Sequence, residues 1–337
     1  MPHLRQDPTT DDWIIFSKVR ARRPDEFRKE KAQGGTLPAY SPTCPFCRGN
    51  ESMTPDVDLV VCRDDRDDWM IRVVPNKYPA LTPEGTTRRT EKKVWRQMPG
   101  YGRHEVVIES PLHNELIPFM SDDHVARLIR AYRDRYAALR EDPQTRAIII
   151  FKNHGKGAGT SLEHPHTQIV ASPVVPPYVR RKYEVTIRYF DNTGRRLHND
   201  IRDAELSEKT RIITESPHFV ALHPFASHYP FETWIMPRRG HQASFVSISE
   251  EEIEDLAKVL KDILARLYNG LGNPDYNLIV DTVPVDDEQK SYYLWHIQII
   301  PRLTMTAGFE LGSGIQINVA LPEETAEFMR NVDATAR

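Results

Sequence analysis

Hydrophobic positions in this chain follow two periods. Short apolar runs bounded by Pro, Gly, Asn and Asp read as strands at 12–17, 59–62, 69–81 (a strand ending in a turn), 102–111, 147–151 and 169–171. Segment 122–140 instead spaces Val125, Leu128, Ile129, Tyr132, Tyr136 and Leu139 at helical intervals. Ser121 suits its N-cap, and Pro143 requires that it end upstream. His104 and His124 read as surface residues.

The second half of the chain repeats the first. Runs 219–230, 231–241, 276–280 and 294–300 echo 71–79, 104–113, 147–151 and 164–170. A second helical pattern, 250–268, carries Ile253, Leu256, Val259, Leu260, Ile263, Leu264 and Leu267. Each half is read as strand, strand, helix, strand, loop, strand. The expected fold is α+β: two repeats that join into one extended, mostly antiparallel sheet with helices packed on it. The expected units are 1–175, a connecting segment 176–215 with Arg180, Arg181 and Lys182, and 216–337. A short closing helix is expected over 322–330.

Composition narrows the class. A chain of 337 residues suffices for one large core or two modest domains. A formal net charge of -3 argues against a general nucleic-acid binder. No apolar run is long enough to cross a bilayer, the N-terminus lacks the apolar core of a signal peptide, and three cysteines do not make a disulfide framework. The cytoplasm is the simplest compartment. Cys62 reads as a small buried hydrophobe.

Chemistry concentrates in 151–170. A strand leads into a loop with Gly155, Gly157 and Gly159, then Thr160 and Ser161, then His164, Pro165, His166, Thr167 and Gln168. Glycines let backbone N–H groups approach an anion closely. Strand alternation puts His164, His166 and Gln168 on one face, and a histidine beyond such a loop can attack phosphorus. In the second repeat His296 and Gln298 keep these places, Leu294 replaces the first histidine, and an anionic stretch at 283–290 replaces the glycine loop. The first copy is therefore expected to do the chemistry. Cys44 and Cys47 flank a proline in a Pro- and Gly-rich loop. Such a pair can present two thiolates to a metal, act as a redox pair or stay free. The loop context favours a metal over a thioredoxin-like pair, and a tetrahedral ion needs two further ligands. The arginines at 20–23 read by themselves as a solvated run, and 308–314 as a glycine-rich turn closing the sheet.

Asn153, Gly155, Gly159, His164, Pro165, His166 and Gln168 together resemble the active-site signature of the galactose-1-phosphate uridylyltransferase family, a branch of the histidine-triad (HIT) superfamily. The resemblance covers about residues 5–330, as a divergent member near ADP-glucose phosphorylase-like proteins. It implies that His166 is a nucleophile whose ring is oriented by the His164 carbonyl. Gln168, Thr160 and Ser161 would donate to the phosphoryl group. Asn76, Asn153 and Gly159 would bind the nucleotide, with Arg20 and Arg23 reaching the phosphates across a homodimer interface. Phe309, Glu310, Gly312 and Gln298 would bind the sugar phosphate. Cys44, Cys47, His113 and His164 would hold a structural Zn2+. No Mg2+ requirement is expected, nor a second metal site, since only His296 and distant His241 remain for one. Partners are a nucleoside diphosphate sugar and a sugar 1-phosphate, with no nucleic acid and no membrane.

The implied reaction moves UMP between hexose 1-phosphates through a nucleotidyl-histidine. Lys77 stands where stricter uridylyltransferases carry an acid, and Thr160 where many carry Cys. Phosphorolysis of an ADP-sugar is the alternative. A HIT-type nucleotide hydrolase, or a nucleotide-binding module without transfer activity, is a third. Gln168 argues against the third, because those hydrolases have a further histidine there.

Overall fold

The computed structural model describes residues 1–17, 23–28, 37–57, 59–63 and 68–335, with the backbone alone at 59 and 61–63. Arg20 and the Cys62 side chain lie outside the described set. β1 (His3–Gln6) and β2 (Trp13–Phe16) form a hairpin. β3 (Leu59–Arg63) and β4 (Trp69–Pro75) follow, then an exposed hairpin of β5 (Thr90–Lys92) and β6 (Trp95–Gln97), and β7 (Arg103–Ile108). Helix α1 (Asp122–Leu139) precedes β8 (Ala147–His154) and β9 (His166–Ser172). After helices α2 (Pro177–Thr193) and α3 (Leu197–Glu208) the pattern recurs. It comprises β10 (Ile212–Glu215), β11 (Phe219–Leu222), β12 (Thr233–Pro237), α4 (Glu250–Leu271), β13 (Tyr276–Asp281) and β14 (His296–Pro301). The chain closes with α5 (Gly308–Ser313), β15 (Ile317–Asn318) and α6 (Pro322–Asn331).

Ten strands form one antiparallel sheet in the order β10-β11-β12-β14-β13-β8-β9-β7-β4-β3. Read outward from its centre, one half is β8-β9-β7-β4-β3 and the other β13-β14-β12-β11-β10. Every strand thus has its repeat partner at the mirrored position. The halves join where β8 pairs β13, with Asn153 opposite Asn277. The repeated α+β architecture agrees with the sequence reading. The run at 59–62 is β3 at one edge of the sheet, and β10, which has no counterpart among the expected strands, extends the other edge.

Alternation along the strands divides the sheet into two faces. α1 and α4 pack on one face and on each other, so that Leu128, Tyr132 and Tyr136 meet Ile148, Ile150, Ile169 and Ala171. Ser121 caps α1 by accepting from the His124 N–H at 3.1 Å. Ser249 and Glu252 cap α4 reciprocally. His166, Gln168 and Val170 point to the opposite face. The cysteine knuckle covers part of that face, packing Phe46 and Cys47 over Trp69, Val74, Val106 and Ile108.

Two of the histidine readings need correction. His124 is buried and its Nε2–H donates to the Glu109 carbonyl at 2.7 Å. His104 is half-buried among polar partners. No described helix is long and apolar enough to cross a membrane.

Candidate active site

Cys44, Cys47, His113 and His164 converge, all buried, with one ligand atom of each within 4.8 Å of the others. The Cys47 Sγ lies 3.5 Å from His113 Nδ1 and 3.6 Å from His164 Nδ1. His164 Nε2–H donates to the Ser110 carbonyl at 2.8 Å, which leaves Nδ1 with its lone pair towards the sulfurs. The Ser41 N–H donates to Cys47 Sγ at 3.3 Å. Burial pushes the Cys44 thiol up to about 11, and the neighbouring Cys47 adds to it. A buried dication reverses that penalty. Two thiolates and two imidazoles suit a closed tetrahedral ion, so the residues present fit a structural metal.

Two residues on, His166 is 7 % exposed and its Nδ1–H donates to the His164 carbonyl at 2.8 Å. Nε2 therefore holds the lone pair, and among the described residues no protein donor occupies it. Burial holds the His166 pKa below its ordinary value, as does the nearby Lys152 ammonium, against the bond to His164. The phenyl ring of Phe46 stands edge-on at 5.3 Å from the His166 ring centroid. The His164 carbonyl thus ties a candidate metal ligand to the ring of His166.

A buried polar network lies beneath this strand, on the helix face. Lys152, 3 % exposed, donates to both oxygens of Glu109 at 2.8 and 2.7 Å, and Glu109 is fully buried. Thr167 Oγ1 donates to the same carboxylate at 2.6 Å and lies 2.8 Å from the Tyr132 hydroxyl. The Glu109 N–H donates to the Pro165 carbonyl at 3.3 Å. The sequence reading missed Lys152 and Glu109, because each directly follows an apolar stretch, at a place where a charge reads as the approach to solvent.

The glycine loop is held from the other repeat. Gly155 has φ +81°, and a Cβ there would stand 2.3 Å from Asp275 Oδ1. The Gly157 N–H donates to Asp275 Oδ2 at 2.6 Å. Asn277 donates its amide protons to the Ala158 carbonyl and to Asn153 Oδ1, both at 2.9 Å. Asn153 therefore keeps its own NH2 group facing Gly159, whose φ is +91°. Ser161 is exposed at the end of this loop. Thr160 Oγ1 gives its proton to the Leu162 carbonyl at 2.8 Å, so in this arrangement the hydroxyl closes the loop instead of donating outward. Gln168 pairs across from Val106 and Phe151. Asn76 ends β4's turn beside it, accepting from the Tyr78 N–H at 2.9 Å.

The remaining candidates lie elsewhere. Gln298 is buried and donates one amide proton to Glu232 Oε1 at 2.8 Å, which braces the second repeat. The expected turn at 308–314 is instead the short helix α5 with Phe309 exposed, Gly312 exposed and Glu310 accepting from the Ala307 N–H at 3.1 Å. Among the described residues no hydrogen bond ties Phe309, Glu310 or Gly312 to the glycine loop or to His166. Arg23 is exposed before the turn Pro24–Phe27, and Phe27 packs on Phe231.

The second repeat preserves the geometry without the opening. His296 Nδ1 faces the Leu294 carbonyl at 3.4 Å, as His166 faces His164. But His296 is 1 % exposed and hemmed in by Trp234, Tyr293 and His198, while Lys182 pairs with Asp281 beside it.

Sequence models of the galactose-1-phosphate uridyl transferase N-terminal and C-terminal domains match residues 1–176 and 182–334. The chain belongs to that family, and with it to the nucleotidyltransferases. It is 37% identical to an ADP-glucose phosphorylase of Arabidopsis thaliana over 339 residues, spanning 99% of this chain and 94% of that one. It is 29% identical to a galactose-1-phosphate uridylyltransferase of Thermotoga maritima over 343 residues, 99% of each. The structure matches the crystal structure of an Arabidopsis thaliana ADP-glucose phosphorylase with bound ADP-glucose at TM-score 0.83 and 33% identity, covering 99% of this chain and 100% of that one.

Proposed function

We propose that the protein transfers a nucleoside monophosphate through a covalent bond to His166. The observation that carries this reading is the His166 Nδ1–H to His164 carbonyl bond of 2.8 Å, which leaves a lone pair on Nε2. Nε2 attacks the α-phosphorus of a nucleoside diphosphate sugar. The bond to the bridging oxygen breaks and the sugar 1-phosphate leaves with that electron pair. A phosphate oxygen of the acceptor then attacks the same phosphorus and releases the imidazole. Splitting one displacement into two lowers each barrier. The amide donors of Gln168 and Asn153 meet the charge that grows on the phosphoryl oxygens, while the N–H groups of Gly157, Ala158, Gly159 and Thr160 are committed to Asp275 and to carbonyls of the loop itself. Cys44, Cys47, His113 and His164 hold Zn2+ as a structural tie, which fixes the His164 peptide and hence the ring of His166. The active form is a homodimer in which Arg23 reaches the phosphates across the interface, and Phe309, Glu310 and Gly312 bind the sugar phosphate.

The family supports uridylyl transfer between hexose 1-phosphates. One observation favours the adenylyl form, ADP-sugar plus phosphate: identity to the Arabidopsis thaliana ADP-glucose phosphorylase is 37%, against 29% for the Thermotoga maritima uridylyltransferase. Intact-mass measurement after mixing with ADP-glucose or UDP-glucose, without acceptor, separates the two. An AMP adduct assigns the phosphorylase, a UMP adduct the uridylyltransferase. Free mononucleotide and no adduct from either would overturn the transfer reading.

A further inference from the structure

His104 lies on β7, one strand from the nucleophile, and carries no assigned role. The Ala80 N–H donates to its Nδ1 at 3.1 Å. A backbone N–H can only donate, so Nδ1 is an acceptor and the ring proton of neutral His104 sits on Nε2. Burial holds the His104 pKa below its ordinary value, which favours that neutral ring, while the bond to Gln168 acts the other way. Nε2 is 2.9 Å from Gln168 Oε1. Since Nε2 donates, the amide end facing it must be the oxygen, and the Gln168 NH2 is turned away. The neighbouring Asn76 obeys the same logic. Its Oδ1 accepts from the Tyr78 N–H, so its Nδ2 faces His104 Nε2 at 3.2 Å as donor against donor, a contact that is no hydrogen bond in this tautomer and leaves Gln168 as the acceptor of the Nε2 proton. The turn at 76–80 therefore sets the polarity of this patch through two backbone N–H groups.

We propose that His104 is a positioning residue. By relaying the Ala80 N–H to Gln168, it fixes that amide with its NH2 towards the α-phosphoryl group, so that Gln168 meets an anion with a donor and never with its carbonyl. This rests on the transfer reading above. Without His104 the amide can rotate by half a turn and present oxygen to the phosphoryl oxygens, which repels them.

Two substitutions distinguish this role from simple support of the turn. H104N keeps an acceptor near the place of Nδ1, for Ala80, but does not reach Gln168. H104Q reaches Gln168 with a donor but leaves Ala80 unserved. The assay is single-turnover formation of the nucleotidyl-enzyme from ADP-glucose and from UDP-glucose, with melting temperature as the check on folding. H104N should slow adduct formation by roughly ten- to hundred-fold, the scale for losing a group that orients a reacting residue, and H104Q should recover most of that loss. In a Q168A background H104N should add no further loss, because both changes remove one function. The opposite order, H104N near wild type and H104Q slow, or losses that multiply in the double variant, overturns the proposal. If H104N does not fold, slow adduct formation by folded H104Q overturns it just as directly. A wild-type protein that forms no adduct overturns the transfer reading instead, and this proposal with it.

Discussion

The Lys152–Glu109 pair gives the sharpest test of how the catalytic strand is held. Lys152→Met removes the ammonium from between two carboxylate oxygens, 2.8 and 2.7 Å away, and leaves Glu109 fully buried. Thr167 still donates to one oxygen at 2.6 Å, but the charge has no counterion. Breaking a buried pair from one side costs about 3–5 kcal/mol, a large share of a domain's usual stability of about 5–15 kcal/mol. Adding Glu109→Gln removes the orphaned charge and keeps an acceptor for Thr167. The residual cost is one unpaired amide, about 1–3 kcal/mol. Equilibrium urea unfolding of wild type, K152M and K152M/E109Q measures both steps. The single variant should be less stable than the double. A double variant at least as destabilised as the single would refute the assignment of this pair as a compensated buried charge.

Three other outcomes follow from the same structure. Cys47→Ala should drop the bound metal from near one equivalent to well below half and lower the melting temperature, read by metal analysis and calorimetry, since all four ligands are needed to close the shell. Gly155→Ala should destabilise the protein by about 1–3 kcal/mol in chemical unfolding, because φ +81° is strained for alanine and its Cβ would press on Asp275. His228 donates to Asp7 at 3.0 Å and pins the N-terminal hairpin. Burial lowers its pKa, but Asp7 and Glu232 outweigh this, so the folded value is raised. Its contribution is complete below about pH 6.5, the unfolded value, and fades as pH rises through the folded value. His228→Gln should therefore cost stability at pH 6 and little at pH 9. Equal costs at the two pH values would contradict this account of the pair.

The repeat, both long helices and the His164–Gln168 motif were legible because each shows in local periodicity or a dense local pattern. Helices α2 and α3 were not. α2 buries Lys182 and Thr186 beside Tyr183 and Val185, so its inner face is partly polar, and the Lys182 ammonium pairs with Asp281 on a strand distant in sequence. His104 and His124 looked like surface residues for the same reason. A lone histidine on a strand or helix gains its role from backbone groups at Ala80 and Glu109, which no spacing along the chain reveals. Gln298 went the other way. Its place in the repeat suggested ligand contact, and the structure adds a bond that no local pattern announces, from its amide to the Glu232 carboxylate just before the neighbouring strand β12. The four candidate metal ligands came from Cys44 and Cys47 plus family resemblance, and the fold brings them together from three segments of chain.

The central claim is that His166 reacts while His164 binds metal. Intact mass and metal content of His166→Gly, after mixing with ADP-glucose or UDP-glucose, test it together. The account predicts no nucleotidyl adduct and undiminished metal, because the glycine removes Nε2 but leaves all four ligands in place. A His166→Gly protein that loses its metal, or one that still gains the mass of a nucleoside monophosphate, would contradict it.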